Sequence, residues 1–177
     1  GPIGRRAGGG YAVKRIAAIA IAAALLAGGA AGGGYFYMQD QLYGRVEGTF
    51  FDAGGVPIHY TDEGQGDPVI LIHGFTVNAD LQWRRPGLHE ALAREFRVIA
   101  LDNRGHGLSG KPHDPADYGT KFCEDVIGLM DHLGIERAAV AGYSMGGMIT
   151  LKLITTYPER FVCAAPCGYG WAQFTPE

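Results

Sequence analysis

Serine is almost missing from this chain. Ser109 and Ser144 are the only two in 177 residues, and none of the six histidines follows the second of them. Cysteine is nearly as scarce. Cys123, Cys163 and Cys167 form an odd set that fits no disulfide framework, and no Cys/His cluster has the spacing of a metal site. No resident metal is therefore expected. Free cysteines flanking a probable strand, as Cys163 and Cys167 do, read as small apolar residues. Acidic residues are absent before Asp40, whereas Arg5, Arg6, Lys14 and Arg15 precede that point. The remainder carries a net negative charge, so it has no basic face for a nucleic acid. No internal repeat and no long low-complexity segment interrupts the chain.

The uncharged run Ile16 to Met38 follows those four basic residues. About 20 apolar residues cross a bilayer core as a helix, and flanking basic residues stay on the cytoplasmic side. A transmembrane anchor over 16–38 is one reading, with Tyr35, Phe36 and Tyr37 at the interface. The other is a cleaved signal peptide, with the small residues Gly28 to Ala31 supplying the cleavage site. Either reading places the rest of the chain outside the cytoplasm. The organisation expected is a basic region over 1–15, the apolar segment over 16–38, a linker over 39–47 and a domain over 48–177.

From Gly48 onward, strand and turn signals alternate. Residues 48–53 and 56–61 read as a hairpin around Gly54-Gly55. Val69 to Ile72 and Val98 to Leu101 are unbroken apolar runs, the mark of strands buried on both faces. Leu81, Leu88, Leu92 and Phe96 predict one amphipathic helix, and Phe122, Val126, Leu129, Met130 and Leu133 a second, over about 119–133. Ala138 to Ala141 reads as a strand, Met145 to Thr156 as a largely buried helix stopped at Tyr157-Pro158, and Phe161 to Ala165 as a last strand. Strands alternating with helices predict an α/β fold built on a doubly wound, mostly parallel sheet.

The segment Gly142-Tyr143-Ser144-Met145-Gly146 falls between such a strand and such a helix. Glycines two places either side of a serine suit a sharp turn in which larger side chains would collide. The serine hydroxyl is then lifted out of the sheet beside a helix N-terminus, whose free N–H groups hold a negative oxygen. That is the setting of a nucleophilic serine.

Three stretches together make the chain resemble the α/β-hydrolase superfamily, in its serine-nucleophile branch: His73-Gly74-Phe75, Asp102-Asn103-Arg104-Gly105-His106-Gly107-Leu108-Ser109, and Gly142 to Gly147. The likeness covers about residues 46–170. It implies Ser144 as the nucleophile and the main-chain N–H groups of Phe75 and Met145 as oxyanion donors. His73, Gly74, Gly142 and Gly146 would support the turn and its neighbouring loop. His106 lies in a loop the family uses as a brace, and Asp102 is expected to bind loop N–H groups. His59, His89, His113 and His132 read as solvated or packing residues.

The family places its acid and histidine after the serine, in that order. Only Glu159 and Glu177 follow Ser144 here, so the resemblance implies a truncated domain whose triad partners lie beyond residue 177. The expected reaction of the complete protein is hydrolysis of an ester-like bond in a small molecule through an acyl-enzyme, which calls for no cofactor. A non-catalytic ligand-binding module is the alternative, as is a carbon–carbon bond hydrolase or cofactor-free haloperoxidase using the same residues. Oligomeric state is left open.

Overall fold

The computed structural model describes residues 48–168. The basic region, the apolar segment and the linker expected over 1–47 lie outside the described residues. Among the described residues no helix is long and apolar enough to cross a membrane.

Six strands form one sheet: β1 (Thr49–Asp52), β2 (Pro57–Glu63), β3 (Pro68–Ile72), β4 (Arg97–Leu101), β5 (Ala138–Tyr143) and β6 (Phe161–Cys167). Their order across the sheet is β1-β2-β4-β3-β5-β6. The hairpin β1–β2 is antiparallel and joins β4 antiparallel, while β4, β3, β5 and β6 run parallel. The mostly parallel α/β sheet expected from the sequence is thus present.

Strand β3 shows why its apolar run is unbroken. Ile70 and Ile72 point into one core with Ile99, Leu101, Val126, Leu129, Ile149 and Leu153. Val69 and Leu71 point the opposite way, into a smaller core with Val98, Ala100, Ala79 and Trp83. Alternate residues of one strand therefore serve two cores. The larger core lies under α2 (Lys121–His132) and α3 (Met145–Thr156).

Two expectations need correcting. The helix predicted over 81–96 is broken into a one-turn π-helical segment (Asp80–Arg84) and the short α1 (Leu88–Leu92). Pro86 disfavours helical geometry before it, and Gly87 takes a left-handed φ of 82°. Helix α3 is also less buried than its apolar composition implied. Met148, Lys152, Thr155 and Thr156 are exposed along it. Conversely, α2 matches its periodicity, with Cys123, Val126, Leu129 and Met130 buried.

From β3 the chain steps to β4 on one side and then crosses to β5 on the other. Connections diverge at β3, which makes the carboxyl ends of β3 and β5 the switch point of this sheet. His73-Gly74-Phe75 leaves the first of these strands and Ser144 the second.

Candidate active site

Ser144 has φ 53° and ψ −112°, the one positive φ of a non-glycine residue among the described residues. Such a conformation costs about 1–3 kcal/mol and persists only where the surroundings impose it. The surroundings here are mostly main-chain atoms. The Ser144 N–H donates to the Cys167 carbonyl of β6 at 2.9 Å. A Cβ on Gly142 would collide with the Gly146 carbonyl and the Thr150 hydroxyl. A Cβ on Gly146 would collide with the Ile72 carbonyl and approach that of His73. The spacing legible in the sequence is thus a packing requirement: helix and strand meet too closely for any side chain.

Because the Ser144 N–H is already taken, free N–H groups near the hydroxyl must come from other residues. Helix α3 begins at Met145 without a side-chain cap and without an acidic residue in its first turn. Its first amides are left without intrahelical acceptors, and the helix dipole is positive there. Gly74 lies against the same bend. A Cβ built on it would stand 3.4 Å from the Tyr143 carbonyl oxygen and 3.6 Å from Ser144 Cβ. The turn after β3 and the turn after β5 are therefore in contact, and Phe75 follows directly.

His73 holds the first of these turns. It is fully buried, and its Nδ1–H donates to the Gly74 carbonyl at 2.6 Å. Its Nε2 accepts from the Asn103 N–H at 2.9 Å, while Asn103 Nδ2 donates to the His73 carbonyl at 3.2 Å. Both ring nitrogens are occupied, so His73 is a bracing group and no proton acceptor. Burial pushes its pKa down to about 4, against the opposing pull of the Gly74 carbonyl and Asp102. An unfolded histidine titrates near 6.5. The folding contribution of neutral His73 is therefore complete above pH 6.5 and falls away as pH drops towards 4, by about 3 kcal/mol in all. Urea unfolding at pH 7, 5.5 and 4.5 should show this decline, and a His73→Asn variant should show a flatter one.

The loop after β4 is locked with equal care. Asp102 Oδ1 accepts from the Ala79 N–H at 2.9 Å, and Oδ2 from the Leu108 N–H at 2.9 Å and from His59 Nδ1 at 3.1 Å. Asp102 thus binds loop N–H groups as expected, and one histidine besides. Ser109 completes the lock: its hydroxyl donates to the Asp102 carbonyl at 2.6 Å and accepts the His59 N–H at 2.8 Å. Ser109, His59 and Asp102 share residue types with a catalytic triad, but the Ser109 hydroxyl is bonded to main chain, away from the imidazole nitrogens. They are a structural knot.

Arg104 makes a bidentate ion pair with Asp125 of α2, both buried, and also donates to the Asp117 carbonyl. The Asp125 carboxylate holds the guanidinium firmly protonated. His106 Nδ1 donates to the Arg104 carbonyl at 3.1 Å, and its ring meets those of His73 and Phe75 edge-on at 5.3 and 5.5 Å. Of the remaining histidines, His89 is buried, whereas His113 and His132 are exposed, the latter against Phe51 and Tyr60. Glu159 is exposed. No histidine among the described residues has a ring nitrogen bonded to Ser144. No cluster of three metal-ligating side chains occurs among them either.

The model of the alpha/beta hydrolase fold matches residues 67–171, more than half of the chain. The chain belongs to the alpha/beta hydrolase fold family. It is 36% identical over 130 residues to the 2-hydroxy-6-oxo-6-phenylhexa-2,4-dienoate hydrolase of Comamonas testosteroni, covering 71% of this chain and 45% of that one. A dihydrolipoyllysine-residue acetyltransferase component of an acetoin cleaving system, from Pseudomonas putida, is 43% identical over 112 residues, covering 63% and 27%. Among solved structures, an epoxide hydrolase of Vigna radiata superposes with a TM-score of 0.62 at 28% identity, covering 70% of this chain and 38% of its own. The chain therefore spans less than half the length of these relatives. Their names cover more than one chemistry, so family membership fixes the scaffold and leaves the reaction to the site.

Proposed function

We propose that the full-length protein is a hydrolase that cleaves an ester-like bond of a small molecule through an acyl-enzyme on Ser144. The observation that carries this reading is the backbone of Ser144 itself, strained at φ 53° and facing the turn of Gly74. A structural serine has no need of such a conformation; a nucleophile gains exposure and a helix N-terminus from it.

In this reading the Ser144 hydroxyl attacks the carbonyl carbon, and the main-chain N–H groups of Met145 and Phe75 receive the charge that develops on oxygen. Each such preorganised donor contributes about 3–4 kcal/mol to the transition state. A histidine oriented by a carboxylate must take the hydroxyl proton. His73 and Asp102 are committed to other partners, so neither serves as that histidine or that carboxylate. The N-terminal segment, whether anchor or signal, would place the domain outside the cytoplasm.

A serine-directed fluorophosphonate is expected to label the full-length protein and to spare Ser144→Ala. Equal labelling of the two would refute the reading. A second reading, cleavage of a dienoate of the kind named for the Comamonas relative, is favoured by the 36% identity with that hydrolase. Parallel assays with such a dienoate and with nitrophenyl esters separate the two.

A further inference from the structure

Seven large apolar side chains stand exposed among the described residues, and four of them share one edge of the sheet. Phe75 follows β3, Leu108 lies in the loop after β4, Tyr143 ends β5, and Met148 is in the first turn of α3. This is the edge that carries Ser144. A monomer's scattered exposed leucine needs no explanation, but four large apolar groups on the one edge that carries Ser144 do.

Next to that rim a groove of about 390 Å³ opens between the first turns of α2 and α3. Phe122, Cys123, Met145, Met148 and Ile149 wall it, and Lys152 is its one charged side chain. Burial pushes the Cys123 thiol up, so it presents a neutral, soft surface at neutral pH. Met145 connects the groove to the bend: its main chain starts α3 beside Ser144, and its side chain lines the groove. Methionines suit an occupant of variable shape because their side chains are unbranched and adaptable.

We propose that this groove holds the apolar chain of the substrate, so that Ser144 acts on esters of medium-length, uncharged acyl or alkyl groups. The inference rests on the nucleophile reading of Ser144. The volume sits near the lower end of the range for small-molecule sites, which suits a chain of about eight carbons. Met145 lets one residue serve both ends of such a substrate, the main chain at the bond to be cut and the side chain along the tail.

The test uses the full-length protein and two ligands that cannot be hydrolysed, p-nitrophenyl octyl ether and p-nitrophenyl ethyl ether, titrated by calorimetry. The octyl ether is expected to bind at least about tenfold more tightly. Met148→Trp, at a half-exposed position that tolerates bulk, should lower the octyl-to-ethyl ratio about fivefold, and Met148→Leu should restore it. Equal affinities for the two ethers, or a ratio that Met148→Trp leaves unmoved, would overturn the inference. So would a Met148→Trp protein with a lower melting temperature and an unchanged ratio, because the groove would then be covered by another part of the protein. Fluorophosphonate labelling of the same preparations reports on Ser144 separately. Labelling without chain-length preference defeats the groove alone; preference without labelling defeats the nucleophile alone.

Discussion

A Gly146→Ala protein should not fold to a state that keeps the Ser144 bend. The added methyl group would overlap the carbonyl of Ile72, with the His73 carbonyl oxygen 2.9 Å away. Neither can retreat as a flexible side chain would. Ile72 ends the central strand β3 and is paired with Leu101 on one side and Gly142 on the other. Relief would require α3 to lift off the sheet, exposing Ile149 and Leu153, both now in the larger core. The expected cost exceeds about 4 kcal/mol, at the extreme of single-substitution effects. Soluble yield and urea unfolding of the full-length variant measure it. A variant within about 1 kcal/mol of the parent would mean the close approach is dispensable.

Asp102→Ala is expected to be the second most damaging change, for a different reason. It removes one carboxylate and strands three donors: the N–H groups of Ala79 and Leu108 and the His59 ring nitrogen. At about 1–3 kcal/mol for each buried group left without a partner, and less for the part-buried Leu108 N–H, the loss is about 3–7 kcal/mol. The native carboxylate also has a pH signature. Burial alone would raise its pKa, but the hydrogen bonds from His59, Ala79 and Leu108 outweigh burial and hold it below the ordinary value of 3.8. Its contribution is therefore complete above that value and is lost as pH falls through the lower, folded one. Unfolding curves from pH 5 to pH 2 should show the parent losing stability below about pH 4, with Asp102→Ala flatter over the same interval. A parallel decline of the two proteins would argue that the carboxylate is not ionised in the native state.

What the sequence made legible was whatever main-chain geometry forces on residue choice. Gly142 and Gly146 mark the bend because nothing larger fits, and Val69 to Ile72 mark the central strand because both its faces are covered. The π-helical segment before α1 was hidden by its own periodicity, since Leu81 and Leu88 keep helical spacing across Pro86. His59 was hidden by alternation. Ile58, His59, Tyr60 and Thr61 are all buried, so polarity at position 59 signalled neither face. Its tie to Asp102 joins residues 43 apart in sequence, and no local pattern carries that information. The same holds for the groove, whose walls come from two helices and meet only in the folded chain.

The strained bend at Ser144 is gripped mostly by peptide groups: Ile72, Gly146 and Cys167 contribute carbonyls, and Thr150 adds a hydroxyl against Gly142. Identity at Phe75, Leu108, Tyr143 and Met148 is thereby largely uncoupled from the geometry of that bend. If Ser144 acts as proposed, a lineage built on this arrangement can exchange the residues that greet a substrate one at a time, without rebuilding the bend that would attack it.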